Sequence, residues 1–156
     1  MEQQGEAAYI VVFGRDTGIE EDIVFSESDI KNLILSKAAV YAGFKALLKQ
    51  AGMDFSTVDR IQITGGFGRY LDIEKAVAIG LLPDIERSKF EYLGNSSIAG
   101  AYLALLSEKI RNEASKVCNA MTYVDFSSSN QFMDEFTSAL FLPHTNLQEF
   151  PSIVPN

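Results

Sequence analysis

The stretch that decides the fold is "RIQITGGFGRYLDIEKAVAIG", residues 60–80. It begins with a short run in which Ile61 and Ile63 alternate with polar neighbours, as in a half-buried β-strand. A glycine-rich corner follows, and Asp72 then stands as a helix N-cap before an apolar-periodic run that ends at Gly80. Strand, glycine corner and helix in this order can hold a nucleotide or can only turn the chain.

The glycine spacing of the corner excludes two common phosphate loops. Gly66 and Gly68 would begin the dinucleotide fingerprint G-x-G-x-x-G, but Leu71 stands where the third glycine belongs. No Gly-Lys-Ser/Thr follows, so the corner is not a P-loop. The glycines still permit close approach of a ligand to the backbone, and the first amides of the next helix favour negative charge. On these residues alone, a plain turn and a ligand-binding loop both stay open.

The composition limits the classes of function. The chain has 156 residues, 47% of them hydrophobic and 22% charged, which is typical of one folded domain. The formal net charge of −8 opposes a broad nucleic-acid surface. A single cysteine, Cys118, excludes an internal disulfide and a Cys-ligated zinc or iron–sulfur site built by this chain alone.

The sequence predicts neither a membrane span nor a secretory signal. No apolar run reaches the length that crosses a bilayer. Glu2 and Glu6 stand where a signal peptide would carry positive charge. We therefore expect a reducing, cytoplasmic location.

The elements around the corner alternate between strand and helix. "AYIVVF" and "DIVF" predict two strands with the turn "GRDTG" between them, and "SESD" matches a capping box before a long helix that ends near Gly52. "FEYLGNSS" repeats the order of strand, corner and helix, with its corner at residues 94–96. This alternation predicts an α/β fold with a mixed, partly parallel sheet and flanking helices. Both corners should lie at the carboxyl edge of that sheet, where ligands bind.

The C-terminal third adds further helices, one more strand and a tail. Ser107 is an N-cap that splits a long helical stretch in two, and "MTYVDF" predicts a strand. One face of a last helix is given by Phe132, Phe136, Ala139 and Leu140. We divide the chain into a lobe, residues 1–142, and a strap packed on the surface, residues 143–156, which holds three prolines.

Individual polar side chains leave alternatives open. Arg69 can pair with a phosphate, stack on a base, or lie in solvent, and Asn95 can fix a ligand or cap its helix. His144 has no partners that suggest a triad, so we expect a structural role, and Cys118 should be a small buried residue. No catalytic group and no metal-ligating cluster emerges from the residues.

Four blocks in collinear order carry a family resemblance between about Phe25 and Pro143: "SESDIKNLILSKAAVYAGFKALL", "ITGGFGRYLDIEKAVAIGLLP", "YLGNSSIAGAYLALLS" and "FMDEFTSALFLP". With them the chain resembles the C-terminal part of the ATP-dependent reductive activators of corrinoid proteins. Those proteins carry a ferredoxin-like iron–sulfur domain elsewhere and an ATPase domain of the acetate and sugar kinase, heat-shock chaperone and actin superfamily.

The resemblance implies a ribonuclease-H-like lobe with an adenosine motif. Two such lobes clasp ATP, and Gly65 and Gly66 match the paired glycines of the second lobe. Arg69 matches the arginine with which chaperone members stack on adenine, while Phe67 and Gly68 are the activators' own version of the intervening pair. With Asn95, whose role the residues leave open, these five form the predicted cofactor-binding set.

Two departures limit what this chain contributes. Its one Asp-x-Gly match, residues 16–18, lacks the context of the superfamily's phosphate motif, so magnesium should be held mainly by the missing lobe. The cysteines of an iron–sulfur cluster belong to the parent protein. The parent is expected to couple ATP binding and hydrolysis to reduction of cob(II)alamin to cob(I)alamin in the corrinoid protein of a methyltransferase system. The chain's partners would be that protein and the remainder of its own ATPase domain.

Two alternatives from other classes remain. The chain can be a protein-interaction or homodimerisation module that presents Phe132, Phe136, Phe141 and the tail. It can also be a lobe of another ATPase of the superfamily, such as an acyl-CoA dehydratase activator.

Overall fold

A computed structural model describes residues 7–19, 21–126 and 129–153, without the side chain of Phe67. Within these ranges the strands are β1 (Ala8–Val12), β2 (Ile23–Ser26), β3 (Ile61–Ile63) and β4 (Phe90–Tyr92). The α-helices are α1 (Gly14–Thr17), α2 (Glu27–Gln50), α3 (Gly65–Gly68), α4 (Ile73–Ala78), α5 (Ser96–Leu106), α6 (Glu108–Ala120) and α7 (Asn130–Ser138). Short 3-10 turns lie at Phe55–Thr57, Arg87–Lys89 and Leu147–Glu149.

The strands form two small sheets of different type. β1 and β2 are an antiparallel pair, with Tyr9 opposite Phe25. β3 and β4 are a parallel pair, with Ile61 opposite Phe90 and Ile63 opposite Tyr92. The architecture is a mixed α/β fold with flanking helices, which confirms the predicted fold class.

The long helix α2 begins at the predicted capping box. The Ser26 hydroxyl accepts a hydrogen bond from the Asp29 backbone N–H at 3.1 Å, and the Asp29 carboxylate accepts one from the Ser26 N–H at 2.9 Å. Two otherwise unpaired backbone groups are thereby satisfied. The helix ends before Gly52, which adopts the left-handed conformation at φ +69°.

The core forms where α2 meets α4, α7 and the tail. Its buried apolar residues come from these separate segments: Ala38, Tyr41, Ala76, Val77, Leu82, Ala139 and Phe150. The tail is fastened to α2 by polar contacts as well. The buried ammonium of Lys37 donates to the carbonyl oxygens of Phe141 and Pro143, and the Tyr41 hydroxyl donates to Glu149 at 2.7 Å.

Two predictions about local structure are wrong. Residues 121–126, "MTYVDF", form no strand, because no neighbouring strand pairs with them among the described residues. Cys118 is exposed, because α6 has no buried residue and its apolar side lies in solvent. The predicted turn between the first two strands is confirmed, and it contains one helical turn, α1. The split at Ser107 is confirmed, since its hydroxyl caps α6 at the Ile110 N–H.

None of the helices in the described ranges is both long and apolar enough to cross a membrane.

Candidate functional site

The two corners predicted to share one edge of the sheet lie side by side. Because β3 and β4 are parallel, the segments that follow them leave from the same edge. The Gly65 N–H donates to the Gly94 carbonyl at 2.8 Å, and the Leu93 N–H donates to the Ile63 carbonyl at 3.0 Å. These bonds join the corner at residues 65–69 to the corner at residues 94–96.

The glycine corner is itself a helical turn, α3, and the next helix begins only at Ile73. The sequence predicted that the amides of that next helix would favour an anion. Instead, the Asp72 carboxylate accepts the Lys75 N–H at 3.1 Å, and this hydrogen bond lowers the pKa of Asp72. A fixed carboxylate at the start of α4 disfavours a phosphate there. The start of α4 is therefore poorly suited to bind a phosphate.

The three glycines of the corner have different reasons to be glycine. Gly65 adopts φ +86°, which side chains rarely allow. A Cβ on Gly68 would lie 2.5 Å from the Cγ2 of Ile63, so packing excludes it. Gly66 has neither restriction, because apart from its chain neighbours and the backbone of its own helix no heavy atom of the described residues lies within 4 Å of where its Cβ would be. The described fold does not require glycine at position 66, whereas a ligand close to the backbone would.

The other predicted site residues lie at the same edge. Arg69 is exposed, and no hydrogen bond or ion pair joins it to another described residue. The Asn95 side-chain oxygen accepts the Ile98 N–H at 3.1 Å, so this residue caps α5, although it can still face a ligand through its amide nitrogen. The backbone of Phe67 belongs to α3, and its side chain lies outside the described part of the structure.

The sequence did not point to one hydrogen bond that steadies this edge. The Tyr92 hydroxyl, from β4, donates to the Leu71 carbonyl in the loop after the glycine corner. The sequence around Tyr92 does not predict this hydrogen bond, because the partner residue lies 21 positions away in the chain.

The predicted site is an open surface. Two apolar clefts of about 570 and 650 Å³ lie nearby, against α2, and neither is lined by Gly66, Arg69 or Asn95. Among the described residues, no group of three or more His, Cys, Asp or Glu side chains could hold a metal ion. An open surface of this kind can contact a ligand from one side.

Comparisons with known proteins give matches by family, by sequence and by structure. A family model described as "C-terminal domain of RACo the ASKHA domain" matches residues 1–154. The corrinoid activation enzyme RamQ of Eubacterium limosum is 30% identical over 140 residues, which cover 87% of this chain. A solved structure named "Reductive activator for corrinoid, iron-sulfur protein" is 47% identical, covers 93% of this chain and superposes with a TM-score of 0.86.

The chain spans only part of these relatives, 23% of the length of each. The family match nonetheless covers nearly all of this chain, and the structural match covers 93% of it. The chain belongs to the family of C-terminal ASKHA domains of RACo-type reductive activators.

Proposed function

We propose that this chain is the adenosine-side half of the ATPase domain of a reductive activator. The parent protein couples ATP binding and hydrolysis to the one-electron reduction of cob(II)alamin to cob(I)alamin in a corrinoid protein. The observation that carries the proposal is that Gly66 and Arg69 both lie at the carboxyl edge of β3, three residues apart in the chain. The glycine has open space above its backbone, and the arginine has no partner within the described chain.

Each residue of the corner has a distinct role in this proposal. Gly65 turns the chain, Gly68 packs against β3, and Gly66 allows the adenosine to approach the backbone closely. The guanidinium of Arg69 stacks on the adenine ring, because a planar cation is attracted to an aromatic face. Asn95 lies on the neighbouring corner, within reach of the same ligand.

The remaining chemistry belongs to the rest of the parent protein. The phosphates and their magnesium ion bind to the preceding lobe, in keeping with the carboxylate of Asp72 at the start of α4. ATP held by both halves stabilises a closed domain, and hydrolysis to ADP and phosphate releases it. The electron for cobalt comes from an iron–sulfur cluster in another domain of the parent. Residues 1–142 form the lobe in this proposal, and residues 143–156 form a strap packed on it.

The relatives support the corrinoid version of the proposal over other ATPases of the superfamily, because both are named for corrinoid activation. The interaction module formed by Phe132, Phe136 and the tail finds less support. Phe132 stacks on Phe126 with ring centroids 5.0 Å apart, and Phe136 packs against the core. Of the three aromatic residues predicted for that surface, Phe141 is the exposed one.

Arg69→Ala in the full-length protein tests the contact with adenine. A lost stacking contact of about 0.5–2 kcal/mol should weaken ATP binding roughly 2- to 30-fold, measured by isothermal titration calorimetry. Arg60→Ala is the matched control, because Arg60 lies at the other end of β3, where it pairs with Glu91 at 3.2 Å on the surface. This control should bind ATP as the wild type does, since exposed ion pairs contribute little to stability.

Gly66→Val in the full-length protein tests the open space by ATP calorimetry, by the rate of ATP-stimulated corrinoid reduction and by thermal unfolding. Its side chain should fill the position of the adenosine, abolish ATP-stimulated corrinoid reduction and leave the melting temperature close to that of the wild type. If both Gly66→Val and Arg69→Ala keep wild-type ATP affinity, the corner is only a turn and the proposal fails.

A further inference from the structure

Helix α5 is apolar on all sides and yet lies in solvent. Its sequence, "SSIAGAYLALL", contains no charged residue, and none of its residues is buried. Ile98, Tyr102 and Leu105 follow one face at helical spacing and are 61–80% exposed, while Leu103 on another face is 47% exposed. A helix that is apolar all round is normally found in the interior of a large domain or in a membrane. At 11 residues, α5 is too short to span a membrane.

The β1–β2 hairpin shows the same property independently. Successive residues of a strand point to opposite faces of the sheet, and Tyr9, Ile10 and Val11 of β1 are all about half or more exposed. Continuous apolar runs of this kind belong to strands that are covered on both faces. The hairpin and α5 therefore both lack cover on more than one side.

The geometry points to one kind of occupant. A second copy of the chain, related by a two-fold axis, would cover one patch on each protomer and leave the opposite faces of α5 and β1 in water. The net charge of −8 also repels another copy. Cover on several sides requires the interior of a larger domain, and the relatives have most of their length outside the matched part.

We propose that the rest of the parent ATPase domain packs, through an apolar surface, around α5 and the β1–β2 hairpin. This inference rests on the proposed function, because it takes the chain to be one part of a larger ATPase domain. It adds a link to the nucleotide site. Helix α5 begins at Ser96 and is capped by Asn95, which follows Gly94, and the Gly94 carbonyl accepts the Gly65 N–H at 2.8 Å. The surface that covers α5 thus lies beside the glycine corner.

Thiol labelling of the full-length protein tests this cover. Leu105→Cys and, separately, Asn112→Cys are made in a Cys118→Ser background, and the maleimide reaction at each position is followed by peptide mass spectrometry. Asn112 is the matched control, because it lies on an exposed helix, α6, on the side opposite Val117 and Met121. A covered thiol at position 105 should react more than about tenfold slower than the thiol at position 112, since its labelling waits for local opening. Val11→Cys in the hairpin should be protected in the same way.

Two results would overturn the inference. Equal rates at positions 105 and 112 would mean that α5 is exposed in the whole protein. Protection that disappears on dilution would mean that a second copy covers the helix. ATP affinity of the same preparations, measured by calorimetry, separates this inference from the proposed function. Protection of position 105 without ATP binding would contradict only the proposed function. ATP binding without protection would contradict only the inference that α5 is covered.

Discussion

At Gly68 the packing leaves no room for a methyl group. The space that a Cβ would need is taken by the Cγ2 of Ile63, a β-branched side chain with few alternative rotamers. At Gly66, two residues earlier, the same addition meets no atom of the described residues beyond its chain neighbours and the backbone of its own helix. In this one turn, the fold therefore requires the glycine at position 68, whereas the proposed ligand requires the glycine at position 66.

Gly68→Ala should lower the free energy of unfolding by about 1–3 kcal/mol, because Ile63 or the strand must shift to admit the methyl group. Gly66→Ala is the control and should change stability by less than about 0.5 kcal/mol. Chemical denaturation followed by circular dichroism measures both. In a double-mutant cycle, Ile63→Ala should relieve part of the cost of Gly68→Ala, because it removes the Cγ2 that clashes. Additive effects would contradict a direct contact between the two residues.

At the scale of elements, the tail is interlocked with the helix that follows the glycine corner. Helix α4 ends before Gly80, which adopts φ +74°. A Cβ there would overlap the backbone carbonyl of Pro143 in the tail. The same tail is held from α2 by Lys37, which donates to the Pro143 carbonyl at 2.7 Å. The strap is therefore part of the packing between α2 and α4.

Gly80→Ala tests this interlock against a matched glycine. Gly52 has a similar left-handed conformation, φ +69°, but open space around its Cβ position. Gly52→Ala should cost only the conformational penalty, about 1–2 kcal/mol. Gly80→Ala should cost at least about 1 kcal/mol more, because a backbone carbonyl cannot rotate away as a side chain can. Equal losses in thermal or chemical unfolding would show that the tail can move aside freely.

At the scale of the whole molecule, the sequence predicted what depends on local signals. The capping box at Ser26 and Asp29 was readable because its hydrogen bonds join residues three positions apart. The adjacency of the two corners followed from the parallel order of their strands. Burial of Lys37 was not readable, because lysine is rarely buried and its carbonyl partners lie more than 100 residues away.

The errors have a common origin in missing neighbours. "MTYVDF" has the composition of a strand, and Cys118 lies on the apolar side of an amphipathic helix. Such patterns report that a segment is suited to burial, but the covering surface must exist for burial to occur. The described part of the chain contains no surface that covers these two segments. The lack of a covering surface also explains why the candidate site is open and is not a cleft. The sequence of residues 65–68, in which three of the four residues are glycine, does not tell which of these glycines has open space around its Cβ position.

The stability of the whole fold should depend on one histidine as the pH falls below neutrality. His144 is the only histidine of the chain and is 4% exposed. Its Nδ1 accepts the Asn146 N–H at 3.0 Å, which requires that nitrogen to be unprotonated, and its Nε2 has no hydrogen-bond partner among the described residues. The ring is faced by Lys37, Tyr41 and Lys45 from α2, by Glu135 from α7 and by Glu149 from the tail.

Burial lowers the pKa of His144, so the unfolded chain takes up the proton first as the pH falls. Stability is therefore complete above the unfolded pKa of about 6.5 and is lost below it, with a slope of at most about 1.4 kcal/mol per pH unit. Glu149, whose pKa is lowered, loses its contribution only below its ordinary value of 4.5, which leaves pH 5 to 6.5 to the histidine. His144→Asn keeps an acceptor for the Asn146 N–H but cannot take up a proton. In urea unfolding from pH 7 to pH 5, the stability of the variant relative to the wild type should therefore rise as the pH falls. A difference that stays constant over this range would mean that His144 is as easily protonated in the folded protein as in the unfolded chain.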